Sequence, residues 1–350
     1  MIKKYFARAN SAQGSINLVM NNIRAMDKLY ILDGQSASRC THLMKILLSH
    51  LENRFENIEC MISPFNINHY DGIIIRDIKF AVCSADVLPV NTLGKHINTD
   101  DAENTHKLTV TKDDIACLSL CASQEYADFY KEFQKAKDIH DSWENLYISQ
   151  IDFNRLNAYT DGVISQLVNK QSQNLGTYKY ERFFGASTPD GSVNYIDNIT
   201  KDLSSRYFIK GRPGTGKSTF LKKLLKAIEK NGYASEVYRC SLDTKSLDMV
   251  LCPELSFCVF DSTAPHEMFP EKARDKILDF YEEGALLGVD DKFENELAYL
   301  KATYSHRISC GLAHMRLGFL ADEEREFYLS RATDFAKLDI MADKIIRSID

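Results

Sequence analysis

Apolar and polar positions along this chain fall into two kinds of segment. Tyr207–Ile209 and Leu255–Phe260 are short apolar runs of the kind that strands buried on both faces show, and Ser235–Cys240 reads as another strand between them. From Ser218 to about Lys230 the apolar residues Phe220, Leu221, Leu224, Leu225 and Ile228 recur at helical spacing, and Asn231-Gly232 supplies a stop. Two further helices are predicted from Asp152, "DFNRLNAYTDGVISQL", and from Asp334, "DFAKLDIMADKIIRSI", each with Phe, Leu and Ile on one face. Val90–Ser149 and His266–Ser330 are mostly polar and read as helical extensions or lids, with Trp143, beside Glu144, as a packing anchor. Asn169–Tyr180 is polar and without apolar period, and is expected to be a linker.

The pattern occurs twice. With Gly34 set against Gly211, 177 residues on, the chain aligns with itself without a gap from residue 5 to residue 88, and about a fifth of the positions are identical. The matches include Tyr30 with Tyr207, Lys45 with Lys222, Glu52 with Glu229, Glu59 with Glu236 and Asp71 with Asp248. The repeat resumes where Asp152 meets Asp334, now 182 residues apart. The expectation is an α/β protein of two tandem P-loop-type domains, each a parallel sheet flanked by helices and carrying a helical extension. Residues 1–168 and 181–350 are the two units, and 169–180 joins them.

The strongest chemical signal lies in the second copy. Gly211-Arg212-Pro213-Gly214-Thr215-Gly216-Lys217-Ser218 fits G-x-x-x-x-G-K-[ST], with a strand before it and a helix after it. Glycines allow the backbone to curl so that successive N–H groups face phosphate oxygens, and the helix adds its positive end. Lys217 is expected to reach the β- and γ-phosphates, with Thr219 next to the loop. Ser218 and Asp261, the latter at the end of the strand Leu255–Phe260, are the expected Mg2+ ligands. Ser262 follows Asp261, so no glutamate stands there to polarise a water. Turnover is then slow, or the base comes from elsewhere, or phosphate goes to another acceptor. His266 is a candidate γ-phosphate sensor or base, and Asp243 and Asp248 are second-rank candidates for water activation or substrate contact.

The first copy, "YILDGQSASRCTHLMKIL", keeps the outline and loses the chemistry. Ala37, Arg39, Cys40 and Ser84 stand where Gly214, Gly216, Lys217 and Asp261 stand in the second, while Thr41 still matches Ser218. Ordinary Mg-nucleotide binding is not expected there, and the copy is expected to be a scaffold for its partner.

Composition narrows the class. The 350 residues are 44% hydrophobic and 26% charged with a net charge of -6, which suits a globular protein and gives no general attraction to nucleic acid or anionic membrane. No apolar run nears the roughly 20 residues of a membrane helix, and the basic start lacks the apolar core of a signal peptide. The nine cysteines include no CxxC pair, so reduced thiols in a cytoplasmic protein are expected, and no metal site built from His or Cys.

Both halves together resemble a family of uncharacterised bacterial tandem P-loop ATPases. The likeness rests on "RFFGASTPDGSVNYIDNI", "GRPGTGKST", "RCSLDTKSLDMVLCPEL" and "DSTAPHEMFP", the last with Ser262 where the family has glycine. The resemblance implies a P-loop fold and ATP binding with Mg2+, and names no substrate. Slow ATP hydrolysis coupled to a conformational or assembly change is the expected function. A small-molecule or nucleotide kinase, with Arg307, Arg316, Arg325 and Arg331 as lid residues, and a nucleotide-gated binding module without turnover are the alternatives.

Overall fold

The computed structural model describes residues 2–173 and 178–349; residues 174–177, within the expected linker, lie outside the described residues. The first half contains β1 (Ile2–Phe6), β2 (Arg8–Ser11), β3 (Gly14–Asn17), α1 (Val19–Ile23), β4 (Lys28–Asp33) and α2 (Ala37–Leu51). It continues through β5 (Ile58–Ile62), β6 (Tyr70–Ile75), β7 (Phe80–Ser84), β8 (Lys95–Asn98), α3 (Lys112–Ile148) and α4 (Phe153–Leu167). The second half repeats this order as β9 (Lys179–Arg182), β10 (Gly185–Thr188), β11 (Gly191–Asn194), α5 (Ile196–Thr200), β12 (Ser205–Lys210) and α6 (Lys217–Lys230). It ends with β13 (Ser235–Arg239), β14 (Leu247–Cys252), β15 (Phe257–Asp261), β16 (Asp275–Asp279), α7 (Phe280–Glu283), α8 (Val289–Lys292), α9 (Glu294–Arg331) and α10 (Phe335–Ile349).

Each half builds one six-stranded sheet, in the order β1-β5-β6-β7-β4-β8 and β9-β13-β14-β15-β12-β16. The two orders are the same under the repeat. Three neighbour pairs in each are parallel, but β6 and β14 run antiparallel to both neighbours. The all-parallel expectation is therefore corrected to a mixed sheet. Residues 235–252 form a hairpin rather than a crossover, because only the short turn 240–246 separates the two strands. A second correction concerns β8 and β16, which lie in stretches expected to be helical. Both are short edge strands with mostly exposed or half-buried residues, so neither carries an apolar run.

The long helices α3 and α9, 37 and 38 residues, pack antiparallel against one another. Their contacts come in matched pairs. Glu132 meets Arg307 at 3.0 Å and Glu125 meets His314 at 2.7 Å, each pair being the other shifted by 182 residues and exchanged between helices. The sheets meet in the same way. Edge strands β1 and β9 exchange two backbone hydrogen bonds at Phe6 and Phe183, 3.0 and 2.9 Å long. Asn198 accepts from the Lys4 amide as Asn21 accepts from the Glu181 amide, both at 2.7 Å. An approximate twofold axis therefore relates the halves.

The last helix of each repeat crosses that axis. Ala342, Ile345 and Ile346 of α10 join the core of the first sheet with Leu43, Met44 and Leu47. Leu156 of α4 joins the core of the second sheet with Phe220, Leu221 and Leu224. Among the described residues no helix is long and apolar enough to cross a membrane.

A buried charge cluster sits between the sheets. Arg182 is fully buried and donates to Glu59 of the first half at 2.8 Å, to Glu236 of the second at 2.9 Å and to Asn22 at 2.7 Å. Tyr5 and Tyr238 donate to the same two carboxylates, with Arg76 on Glu59 and Lys3 on Glu236. Burial pushes both glutamates up, but Arg182 and its companions outweigh it and hold both below the ordinary range. Depressed carboxylates contribute stability that is present above their unfolded pKa and lost as pH falls through the folded one. Arg182→Ala, which takes the shared cation from two buried carboxylates and leaves them Arg76 and Lys3, should cost about 3 kcal/mol in urea unfolding at pH 7. Lowering the pH should shrink the gap between variant and wild type, because the carboxylates then protonate.

Candidate functional site

The loop between β12 and α6 keeps the open curl that its glycines predict. Gly214 and Gly216 have φ of 77° and 81°, which favours glycine at both positions. Helix α6 begins only at Lys217. Among the described residues, the amides of Lys217, Ser218 and Thr219 have no hydrogen-bond acceptor, as in the first turn of a helix whose N-cap, here Gly216, offers no side chain. Thr215 closes the curl, its hydroxyl and amide both donating to the Arg212 carbonyl at 2.8 and 3.3 Å.

The parallel register of β12 with β15 places Asp261 beside Ile209, at the root of the loop. Lys217 Nζ accordingly lies 3.5 Å from Asp261 and donates to the Arg212 carbonyl at 3.0 Å. Ser218 Oγ accepts from the Leu247 amide at 3.0 Å, which ties the loop to β14. The hydroxyl of Ser218 and the carboxylate of Asp261 are hard oxygen donors of the kind Mg2+ takes, and the unpartnered amides suit phosphate oxygens, so these residues fit Mg-ATP. Ser262 is fully buried with its hydroxyl donated to the Met268 carbonyl, so it offers no base.

Asp248 stands across the β14–β15 ladder from Asp261. Burial, and then the Asp261 carboxylate, push it up to about 8. Its counterpart Asp71 is neutralised by Arg8 at 2.6 Å, whereas Gly185 occupies the matching position in the second half. The intact half thus keeps this carboxylate free of an arginine. Asp243 caps its own turn, accepting from Lys245 and Ser246, and pairs with Lys137 of α3 at 3.6 Å. His266 is buried edge-on against Phe184, close to Gly185; burial pushes it down to about 4, and its Nδ1 has no partner among the described residues. Arg307 pairs with Glu132, Arg316 with Asp190 and Arg325 with Asp322 and Glu326, while Arg331 stacks on Phe327.

In the first copy the loop has wound into helix. Ala37 and Arg39 replace the two left-handed glycines, and α2 starts at Ala37, three residues earlier in the repeat than α6. The amides this exposes are already taken. Glu326 of α9, 6% exposed, accepts from Ser36 Oγ at 2.7 Å, from Ser38 N at 3.1 Å and from Ala37 N at 3.2 Å. A carboxylate from the other half thus sits at the helix start where an anion would bind. Arg39 is fully buried, donating to Asp100, Thr333 and the Leu329 carbonyl. Burial pushes the Cys40 thiol up to about 12, so a neutral group stands where the other copy has lysine.

The offset that matches Asp152 with Asp334 also matches Glu326 with Glu144. Glu144 lies on α3, at the tip of the intact loop, with His140, Asp141 and Lys137 around it. Sequence reasoning missed these residues because it treated Val90–Ser149 as divergent. Extending the 182-residue offset upstream from Asp152 would have found Glu144. No family model, curated protein or solved structure matches this chain.

In a Lys217→Ala background, replacing Arg39 and Cys40 with glycine and lysine should leave the chain without measurable Mg-ATP affinity in a titration with a fluorescent ATP analogue. Glu326 would still hold the amides, and Ser84 would still lack the carboxylate.

Proposed function

We propose that this chain binds Mg-ATP at the loop Gly211–Thr219 of its second half and hydrolyses it slowly, in step with a conformational change. The observation that supports this most is the contrast between the two copies. The amides of Lys217, Ser218 and Thr219 are unpartnered beside Lys217 and Asp261, whereas the corresponding helix start in the first copy is held by Glu326.

In this reading the backbone from Gly214 to Thr219 cradles the phosphates, chiefly through the amides of Lys217, Ser218 and Thr219, and Lys217 offsets their charge by moving its ammonium from Asp261 toward the γ-phosphate. Asp261 and Ser218 would hold Mg2+, which would supply positive charge to offset that of the phosphates. The loop is coupled to the first half at several points. Arg212 pairs with Asp290 at 2.6 Å, and Asp290 also accepts the Tyr147 hydroxyl of α3 at 2.6 Å. A loop that shifts on loading with nucleotide therefore pulls on α3, which is the physical content of the coupling.

Purified protein with Mg2+ and ATP should release phosphate well above a Lys217→Ala control. Asp261→Asn should raise the Mg2+ concentration needed for half-maximal rate. A wild type no faster than Lys217→Ala removes hydrolysis, and failure to bind a fluorescent ATP analogue removes nucleotide binding as well.

A further inference from the structure

The intact loop has no base in its own half at the position after Asp261, because Ser262 is buried and engaged. The other half brings one to the opposite side. Helix α3 runs across the loop tip so closely that a side chain on Gly214 would begin 2.5 Å from the Glu144 carbonyl oxygen. The same turns of α3 carry Lys137, His140, Asp141 and Glu144, and the charge of Lys217 acts on both His140 and Glu144.

The matching residue on α9 shows what a glutamate at this position can reach, since the Glu326 carboxylate touches three consecutive residues of its loop. Among the described residues Glu144 makes no such bonds. Its carboxylate lies 3.7 Å from His140 Nδ1, and its side chain is 37% exposed, leaving its oxygens available to water.

We propose that Glu144, supplied by the first half, is the general base of the ATP site in the second half. The proposal rests on hydrolysis occurring at this loop. Water attacks the γ-phosphorus while its proton passes to Glu144. The bond from the γ-phosphorus to the bridging oxygen breaks, and ADP leaves with that electron pair; Glu144 then returns the proton to solvent or product. The surroundings suit the task. Burial, and then Asp141, push the Glu144 carboxyl above its ordinary range, against the opposing pull of Lys137 and Lys217, with Asp243 adding to the rise, and a more basic carboxylate takes a proton more readily. Burial and Lys217 push His140 down, so the nearest imidazole stays neutral.

The test is Glu144→Gln in the full chain, with steady-state phosphate release and affinity for a fluorescent ATP analogue measured together. The rate should fall by about 100-fold or more while affinity stays within about threefold, and Glu144→Asp should recover part of the rate. A Gln variant that releases phosphate within about threefold of wild type overturns the proposal. So does one whose affinity falls in step with its rate, since that marks a structural role. A wild type that releases no more phosphate than Lys217→Ala removes the hydrolase reading and this inference together, whereas release that persists in the Gln variant removes this inference alone.

Discussion

Arg182 is the contact around which the two halves are organised. One guanidinium, with no access to solvent, joins Glu59 from the first sheet to Glu236 from the second. It serves both carboxylates, whereas Arg76 and Lys3 each serve one, and the two glutamates are counterparts in the repeat, so their like charges would otherwise face one another across the axis. Tyr5 occupies the position in the first half that Arg182 occupies in the second, and the Arg182 guanidinium stacks on its ring at 4.1 Å. The symmetry is therefore broken at its centre by a single substitution, which turns a like-charged contact into a satisfied one. The backbone bridge between Phe6 and Phe183 lies next to this contact in sequence, one residue on from Tyr5 and from Arg182.

The two loops show how few changes separate an open glycine loop from an ordinary helix start. A left-handed glycine keeps the chain open by allowing a backbone that other residues avoid. Once alanine and arginine replace such glycines, the same stretch gains a helical turn in α2. That turn still presents unsatisfied amides, and Glu326 satisfies them as a capping carboxylate would. The decayed copy is thus a closed contact between halves.

Much of this was legible in the sequence and some was not. The loop Gly211–Ser218 and the strand ending at Asp261 declare themselves because glycine, lysine and a buried apolar run at fixed spacing have few other uses. The duplication is visible because sheet residues such as Phe80 and Phe257 are held by packing. Strands β6 and β14 were harder to see, since an antiparallel hairpin and a crossover can share the same apolar run. The part played by α3 was hidden for another reason. Its outward face is polar along most of its 37 residues, and which polar residue meets a loop on the other half depends on tertiary placement rather than on local pattern.

The exchange of α4 and α10 across the axis bears on ancestry. Tyr30 in β4 ends its hydroxyl on Ser348 of α10 at 2.6 Å, and Leu156 of α4 lies in the core under α6, so each sheet borrows its last helix from the other repeat. A lone copy of this unit would have had apolar surface with no helix of its own placed to cover it. Such a unit would complete its core by pairing with a second molecule, as the two halves do here within one chain. Joined in one chain, the two loops no longer need to be alike, and Ala37 and Arg39 stand in one where Gly214 and Gly216 stand in the other.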